Sequence, residues 1–269
     1  MLKDITIGQY YPSESVIHKL DPRLKIILTL VYIVAIFLIQ NFWGFLLLAV
    51  LAILLAKTAK IPVLFLLKGL KPLAILMTIT ALLNLFMTDG QVLWQLGFLR
   101  ITREGIFLSA FMLLRIMFLV LGTSFLTYTT TPIQLTSAIE SLLKPFSKIG
   151  LPSHEIAMMM SIALRFIPTL IEETDKIMSA QKARGAALSE GNIFKRAKAL
   201  IPILVPLFIS AFRRADDLAV AMESRCYHGG DDRTKMKELK YHKKDTVALA
   251  VFLVSVSGIL LLNLLGASL

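Results

Sequence analysis

The sequence predicts an all-α, polytopic integral membrane protein, and two observations carry that expectation. The chain is 56% hydrophobic and only 17% charged over 269 residues, where a soluble domain carries roughly 25% charged residues. Its apolar runs also approach, and in places reach, the length of about 20 residues that a helix needs to cross a bilayer. An apolar excess of this size has no single core to fill, which leaves lipid as the solvent. The formal charge of +11 fits Lys and Arg gathered on cytoplasmic segments better than it fits nucleic acid, which is not expected as a partner. Cys226 is the single cysteine, so neither an internal disulfide nor a Cys-based zinc cage is open to this chain. No cleavable leader is expected, because the N-terminal stretch stays polar through Asp21-Pro22-Arg23.

Five spans are expected. Ile26 to Ile39 and Phe42 to Ala56 read as a tight helical hairpin turning at Gln40-Asn41. Ile61 to Lys71 is amphipathic and bracketed by Pro62 and Pro72, the pattern of a helix lying along the surface. Leu73 to Thr88, Gly105 to Tyr128 and Val247 to Leu265 supply the remaining spans. Lys19, Arg23 and Lys25 precede the first span, Lys57, Lys60, Lys68 and Lys71 lie around the third, and Lys235 to Lys244 precede the last. The opposite side holds only Arg100 and Arg103 in its one sizeable loop. This bias predicts a cytoplasmic N-terminus and an external C-terminus. The organisation that follows is a membrane domain over 1–128, cytoplasmic helices over 129–245 and a final transmembrane helix over 246–269.

The cytoplasmic section reads as helix almost throughout. Thr131-Pro132 has the order of an N-cap followed by a first helical proline. Gly150 and Pro152 close that region, and Ser153 is expected to cap a long second helix. There Ile162, Phe166, Ile167 and Leu170 recur on one face, while Glu172, Glu173, Asp175 and Lys176 fall largely on the other. A third stretch, Lys198 to Tyr227, is expected to be broken by Pro202 and Pro206; its apolar run to Phe212 is too short to span a bilayer. The two long arms end alike, in Ala183-Arg184-Gly185 and in Ser224-Arg225-Cys226. An arginine between small neighbours presents five donors in a planar fork suited to carboxylates or backbone carbonyls of a partner. Alone, such an arginine merely complements the helix dipole; two matched ends weigh against that plainer reading.

What the chain lacks narrows its chemistry. There is no Gly-x-x-x-x-Gly-Lys-Ser/Thr phosphate loop. The histidines at 18, 154, 228 and 242 form no i, i+4 pair and no His-Glu-x-x-His helix, so no metal site and no cofactor is expected. Glu172, Glu173 and Asp175 read as a solvated face. Arg115, well inside the fourth span, is either a bundle-facing contact on a substrate path or a residue that snorkels to the interface.

The stretch from Leu151-Pro152 through Arg165-Phe166-Ile167-Pro168 to Ala183-Arg184-Gly185 resembles the coupling region of the transmembrane T component of energy-coupling factor transporters, the CbiQ-like family. Arg213-Arg214-Ala215, Glu223-Ser224-Arg225 and the N-terminal Gly8-Gln9-Tyr10, Ser15 and Leu20-Asp21-Pro22-Arg23 are similar too, so the resemblance covers nearly the whole chain. The family's two arginine motifs are usually Ala-Arg-Gly, and the second departs here at Cys226. The resemblance implies a non-catalytic subunit of a prokaryotic cell-membrane importer for vitamins or other micronutrients, or for cobalt or nickel. It implies two cytoplasmic ABC-type ATPase subunits that bind ATP and seat Arg184 and Arg225. It also implies a small substrate-binding membrane subunit held by faces such as that of Ile162, Phe166, Ile167 and Leu170. A self-contained transporter would want polar or broken spans, and a membrane enzyme a cluster of catalytic groups; neither pattern is present.

Overall fold

A computed structural model describes residues 10–96, 99–150, 152–186, 193–229 and 239–266. Gly8, Gln9, Leu151, Lys235 and Lys237 lie outside the described residues. The architecture is α-helical: α1 (Pro22–Leu38), α2 (Phe42–Ala59), α3 (Val63–Lys68), α4 (Ala74–Met87), α5 (Arg103–Thr129), α6 (Pro132–Leu143), α7 (Ser153–Ala183), α8 (Ile193–Glu223) and α9 (Lys243–Gly266). Between α4 and α5 stands an antiparallel hairpin, β1 (Val92–Leu96) and β2 (Leu99–Thr102), where the sequence predicted only a loop. Strands of five and four residues with an irregular register leave too little alternation to read. The hairpin is fastened to α5: Thr102 accepts from the Gly105 N–H as N-cap and donates to the Thr88 carbonyl, and Glu104 accepts from the Gln91 N–H.

Residues 8–138 and 239–269 form one compact unit, and residues 139–238 a second. In the first, α5 packs against α1, α2 and α4, and α9 packs against α1 and α2. Ile36, Phe45, Leu48, Phe118, Leu121, Phe125, Tyr128 and Ile259 make its buried core. A glycine permits the closest approach. A Cβ on Gly122 would overlap the Tyr32 ring, whose hydroxyl donates to the Phe118 carbonyl at 2.7 Å.

The base of this unit is polar and fully engaged. Asp21 accepts from the Arg23 N–H at 2.8 Å as N-cap of α1 and pairs with the Arg23 guanidinium at 2.8 Å. Burial pushes its carboxyl up, yet the Arg23 bonds and charge prevail and hold it below the usual carboxylate range. Asp245, 3% exposed at the start of α9, accepts from the Asp21 N–H at 2.8 Å. Lys25 extends along α1 to donate to the Thr129 carbonyl at 2.9 Å. Residues that the sequence supplies as a charged N-terminal run thus tie α1, α5 and α9 together.

Five helices among the described residues are long and apolar enough to cross a membrane: Phe42–Ala59, Val63–Met87 (taking α3 and α4 together), Arg103–Thr129, Ser153–Ala183 and Lys243–Asn263. The chain is accordingly a multi-pass, all-α membrane protein. The set differs from the expected one in three places, the first being that the third span reaches length only with α3, which was expected to lie along the surface. The first expected span, α1, has only 17 residues, and α7, expected in the cytoplasm, reaches spanning length and hydropathy. Most of its charge, Glu172, Glu173, Asp175, Lys176 and Lys182, sits in its second half, and between Glu155 and Arg165 its first half is uncharged.

Three local expectations also change. Pro152, not Ser153, is the N-cap of α7; the Ser153 side chain is buried and makes no cap bond. α8 runs unbroken through Pro202 and Pro206. It then ends at Glu223, short of the expected Tyr227. The Thr131 cap is as expected, and Gln134 completes it. The Thr131 N–H donates to the Gln134 side chain at 3.1 Å while Thr131 Oγ1 accepts from the Gln134 N–H, a reciprocal capping box.

Candidate functional site

The candidate site is the pair of arm ends and the helical faces behind them, all within the second unit. At the end of α7, the Gly185 N–H donates to the Lys182 carbonyl and the Ala186 N–H to the Gln181 carbonyl, both at 3.0 Å. Gly185 lies in the left-handed region at φ +85°. These two bonds with a left-handed residue between them make a Schellman ending, which satisfies carbonyls the helix leaves free. At the end of α8, the Cys226 N–H donates to the Glu223 carbonyl at 2.8 Å and the Tyr227 N–H to the Met222 carbonyl at 3.1 Å. Cys226 has φ +58°. The bond pattern is the same, displaced by 41 positions, and Cys226 takes the place of Gly185.

The consequence is that Arg184 and Arg225 occupy the same position in the same motif, the last residue before the left-handed one. Both are exposed, as are Ala183, Gly185, Ser224 and Cys226. Neither guanidinium makes an ion pair or side-chain hydrogen bond among the described residues. Each is therefore a cation held at a helix C-terminus, where the dipole favours it, with its donors unspent.

The arms are joined by ties that follow from the prolines. Pro206 has no N–H, so the Pro202 carbonyl one turn earlier has no intrahelical partner. The Gln181 side chain of α7 donates to that carbonyl at 3.3 Å. Twelve positions further along α8, about 18 Å at roughly 1.5 Å per residue, Arg214 pairs with Glu173 of α7 at 3.0 Å, with both side chains partly shielded. The ion pair answers for one member of the acidic run Glu172, Glu173 and Asp175, which binds within the protein instead of facing solvent throughout. In the same unit His154 pairs with Glu140 at 3.2 Å.

Behind the tips, Ile162, Phe166, Ile167 and Leu170 are each half-buried on α7, which packs against α8. A more open apolar surface lies on α8. Leu200, Ile201, Leu204, Val205, Phe208, Ile209 and Phe212 are all exposed, Phe208 at 60% and Phe212 at 68%. Their spacing of i, i+1, i+4, i+5 repeats down the helix, one continuous stripe. The sequence contains that spacing, but the surrounding run is apolar on nearly every side, so composition alone does not single out the face. No group of three or more His, Cys, Asp or Glu that could hold a metal is found among the described residues.

Comparison with known proteins meets this geometry at its residues. The cobalt transport protein family model, CbiQ, matches residues 13–236. The energy-coupling factor transporter transmembrane protein EcfT of Clostridium kluyveri is 58% identical over 95% of this chain and 96% of its own. The protein of the same name from Thermosediminibacter oceani is 54% identical, over 96% and 98%. That of Bacillus subtilis is 46% identical, over 94% and 96%.

Proposed function

The chain belongs to the CbiQ family, among the energy-coupling factor transporter transmembrane proteins, and from that premise we propose that it is the coupling scaffold of an ATP-driven micronutrient importer. Two cytoplasmic ABC-type ATPase subunits bind the arm tips, Ala183-Arg184-Gly185 and Ser224-Arg225-Cys226. Each guanidinium enters a groove on one ATPase. A small substrate-binding membrane subunit rests on the apolar faces of α7 and α8, Ile162, Phe166, Ile167 and Leu170 among them. Closure of the ATPases on ATP moves the tips; the Gln181–Pro202 and Glu173–Arg214 ties make α7 and α8 move together, and the substrate subunit reorients. The scaffold itself carries no phosphate loop and turns over no ATP.

The observation that supports this reading best is the repeated ending: two arms, one bond pattern, and an uncommitted arginine at the same place in each. Two equivalent tips suit two related partners. The proposed topology sets the N-terminus inside the plasma membrane and takes α1, which packs on α5 and α9, as a span in place of α7. Vitamins are the proposed cargo class, since the relatives at 46–58% identity carry the general transporter name. A dedicated cobalt or nickel importer is the second reading, favoured by the description of the family model.

Copurification in mild detergent tests the scaffold. The chain brings down two ATPase subunits and one small membrane subunit, and the complex hydrolyses ATP where the repurified chain alone does not. Turnover by the isolated chain, or a chain that purifies without ATPases, defeats the reading.

A further inference from the structure

The first unit holds a cavity of about 920 Å³ beside the α1–α2 turn, lined by Gln40, Asn41, Trp43, Phe107, Phe111 and Arg115 among others. Among the described residues Arg115 makes a single hydrogen bond, from Nη2 to the Ile39 carbonyl at 2.9 Å. That carbonyl belongs to the C-cap of α1, so the guanidinium completes a helix end. The Phe111 ring lies 4.9 Å from the guanidinium carbon. Nε is buried with no partner, while Nη1 is neither bonded nor closed off. No carboxylate pairs with Arg115 among the described residues; Glu104, the other charged residue lining the cavity, is engaged by the Gln91 N–H at 2.7 Å. A guanidinium has five donors, and an unpaired charge away from water carries a penalty that an anion would relieve.

We propose that this cavity seats the phosphate of a membrane phospholipid on Arg115. The depth is suitable. Thr129, at the end of α5 that Lys25 bonds, lies 14 positions beyond Arg115, about 21 Å along the helix. In a hydrocarbon layer about 30 Å thick, Arg115 then falls in the third furthest from that polar base, within snorkelling reach of a headgroup. The walls fit the rest of a lipid. Phe42, Trp43 and Phe107 are exposed around the cavity and offer aromatic surface to the glycerol backbone and the first methylenes, which a free inorganic phosphate would not use. The charge fits a phosphodiester monoanion. Arg115 has no acid partner among the described residues, and Glu104, the acid in the lining, is held by the Gln91 N–H, so one cation is left for one negative charge.

Trp43 provides the probe, since Trp94 is the only other tryptophan. The full chain carrying Trp94→Phe, in maltoside micelles, is titrated with brominated dioleoyl phosphatidylglycerol, and Trp43 fluorescence is read. Saturable quenching is expected. Arg115→Gln should raise the half-saturating lipid by at least about tenfold, the scale of a lost charge-assisted bond. Arg115→Gln also removes the cap on Ile39, so Phe107→Glu serves as the second variant: it leaves the Arg115–Ile39 bond in place, sets a carboxylate at the rim, and should weaken quenching comparably. Brominated dioleoylglycerol, with the same chains and no phosphate, should quench without saturating. The proposal is overturned if Phe107→Glu and Arg115→Gln both titrate like the parent. It is equally overturned if the phosphate-free lipid saturates at the same concentration, which would mean an apolar slot only. Abolition of quenching by millimolar inorganic phosphate would reassign the cavity to a free anion and also overturn it.

Discussion

Both units leave apolar surface open, α4 of the bundle having no buried residue, but only the bundle closes a core of several helices. The bundle of α1, α2, α4, α5 and α9 interlocks: Gly122 lets the Tyr32 ring lie against α5, and Ile36, Phe118, Phe125 and Ile259 close a core between the helices. The unit of α7 and α8 packs its two helices together, ties them from Gln181 to Pro202 and from Glu173 to Arg214, and leaves a stripe of seven large apolar residues open. A protein interior loses stability when packing is disturbed, whereas an open apolar face of this extent marks a surface for binding. The bundle is built to stay as it is, and the arms are built to be completed by others.

Substitution at Gly122 puts the largest strain on that comparison. Gly122→Ala places a Cβ inside the Tyr32 ring, and overpacking of this kind costs about 1–3 kcal/mol. Val205→Leu adds one methylene to the exposed stripe of α8 and should change stability by no more than about 0.5 kcal/mol. Thermal unfolding of the detergent-solubilised chain measures both. Equal losses would mean the arms are packed as tightly as the bundle.

Assembly should respond in the reverse order. Arg184→Glu with Arg225→Glu alters two exposed side chains that bond nothing among the described residues, so the unfolding temperature should stay close to that of the parent. Loss of a hot-spot contact costs about 2–4 kcal/mol of binding, and the double variant should release the ATPases and stop uptake. Arg→Lys should rescue only in part, since an ammonium keeps the charge and loses the planar fork. A double Glu variant that assembles and transports like the parent would leave both arginines as helix-end cations and nothing more.

Much of this was legible in the chain, and what was not has physical reasons. Apolar run length and the placement of Lys and Arg carry the membrane class, because the bilayer imposes both. The arm ends were visible because a Schellman ending is local: Arg184 and Gly185 lie in the turn they specify. Ser153 misled because a serine before a helical run usually caps it, and here Pro152 takes that position while the side chain is buried. Pro202 and Pro206 read as a break, but the carbonyl they strand is answered by Gln181 from another helix, a tertiary repair that no spacing within α8 reveals. The bond from Arg115 to Ile39 spans 76 positions and is hidden for the same reason.

The apolar faces behind the tips give the next smaller effect. Phe208→Asp puts a charge on the open stripe and Phe166→Asp puts one on the half-buried face of α7. Both should weaken retention of the substrate-binding subunit while the ATPases stay bound. Phe208→Asp should do so at little cost to the chain's own stability, whereas Phe166→Asp should also cost about 1–3 kcal/mol of it. Should only Phe166→Asp release the subunit, the α7 face is the seat and the stripe on α8 serves the lipid surface. Loss of the ATPases with the substrate subunit retained would mean that the two ends of the arm have been assigned backwards.

The smallest effect separates the tips from each other. Gly185 and Cys226 hold the same left-handed position, at φ +85° and +58°, but only glycine adopts it without steric cost. A Cβ in that region opposes the following carbonyl at a cost on the order of 1 kcal/mol. The α8 tip therefore holds its turn against a strain that the α7 tip lacks. Cys226→Gly should relieve it and slow hydrogen exchange of the Tyr227 amide, which bonds the Met222 carbonyl, by up to about fivefold. Gly185→Ala should impose the same strain on the other arm and speed exchange of the Ala186 amide, which bonds Gln181, by a similar factor. Both variants keep their arginines, so ATPase copurification should persist in each. If Tyr227 exchange is unchanged or faster in Cys226→Gly, the thiol makes a contact that offsets its strain, and the two endings are alike in bonds but not in energy.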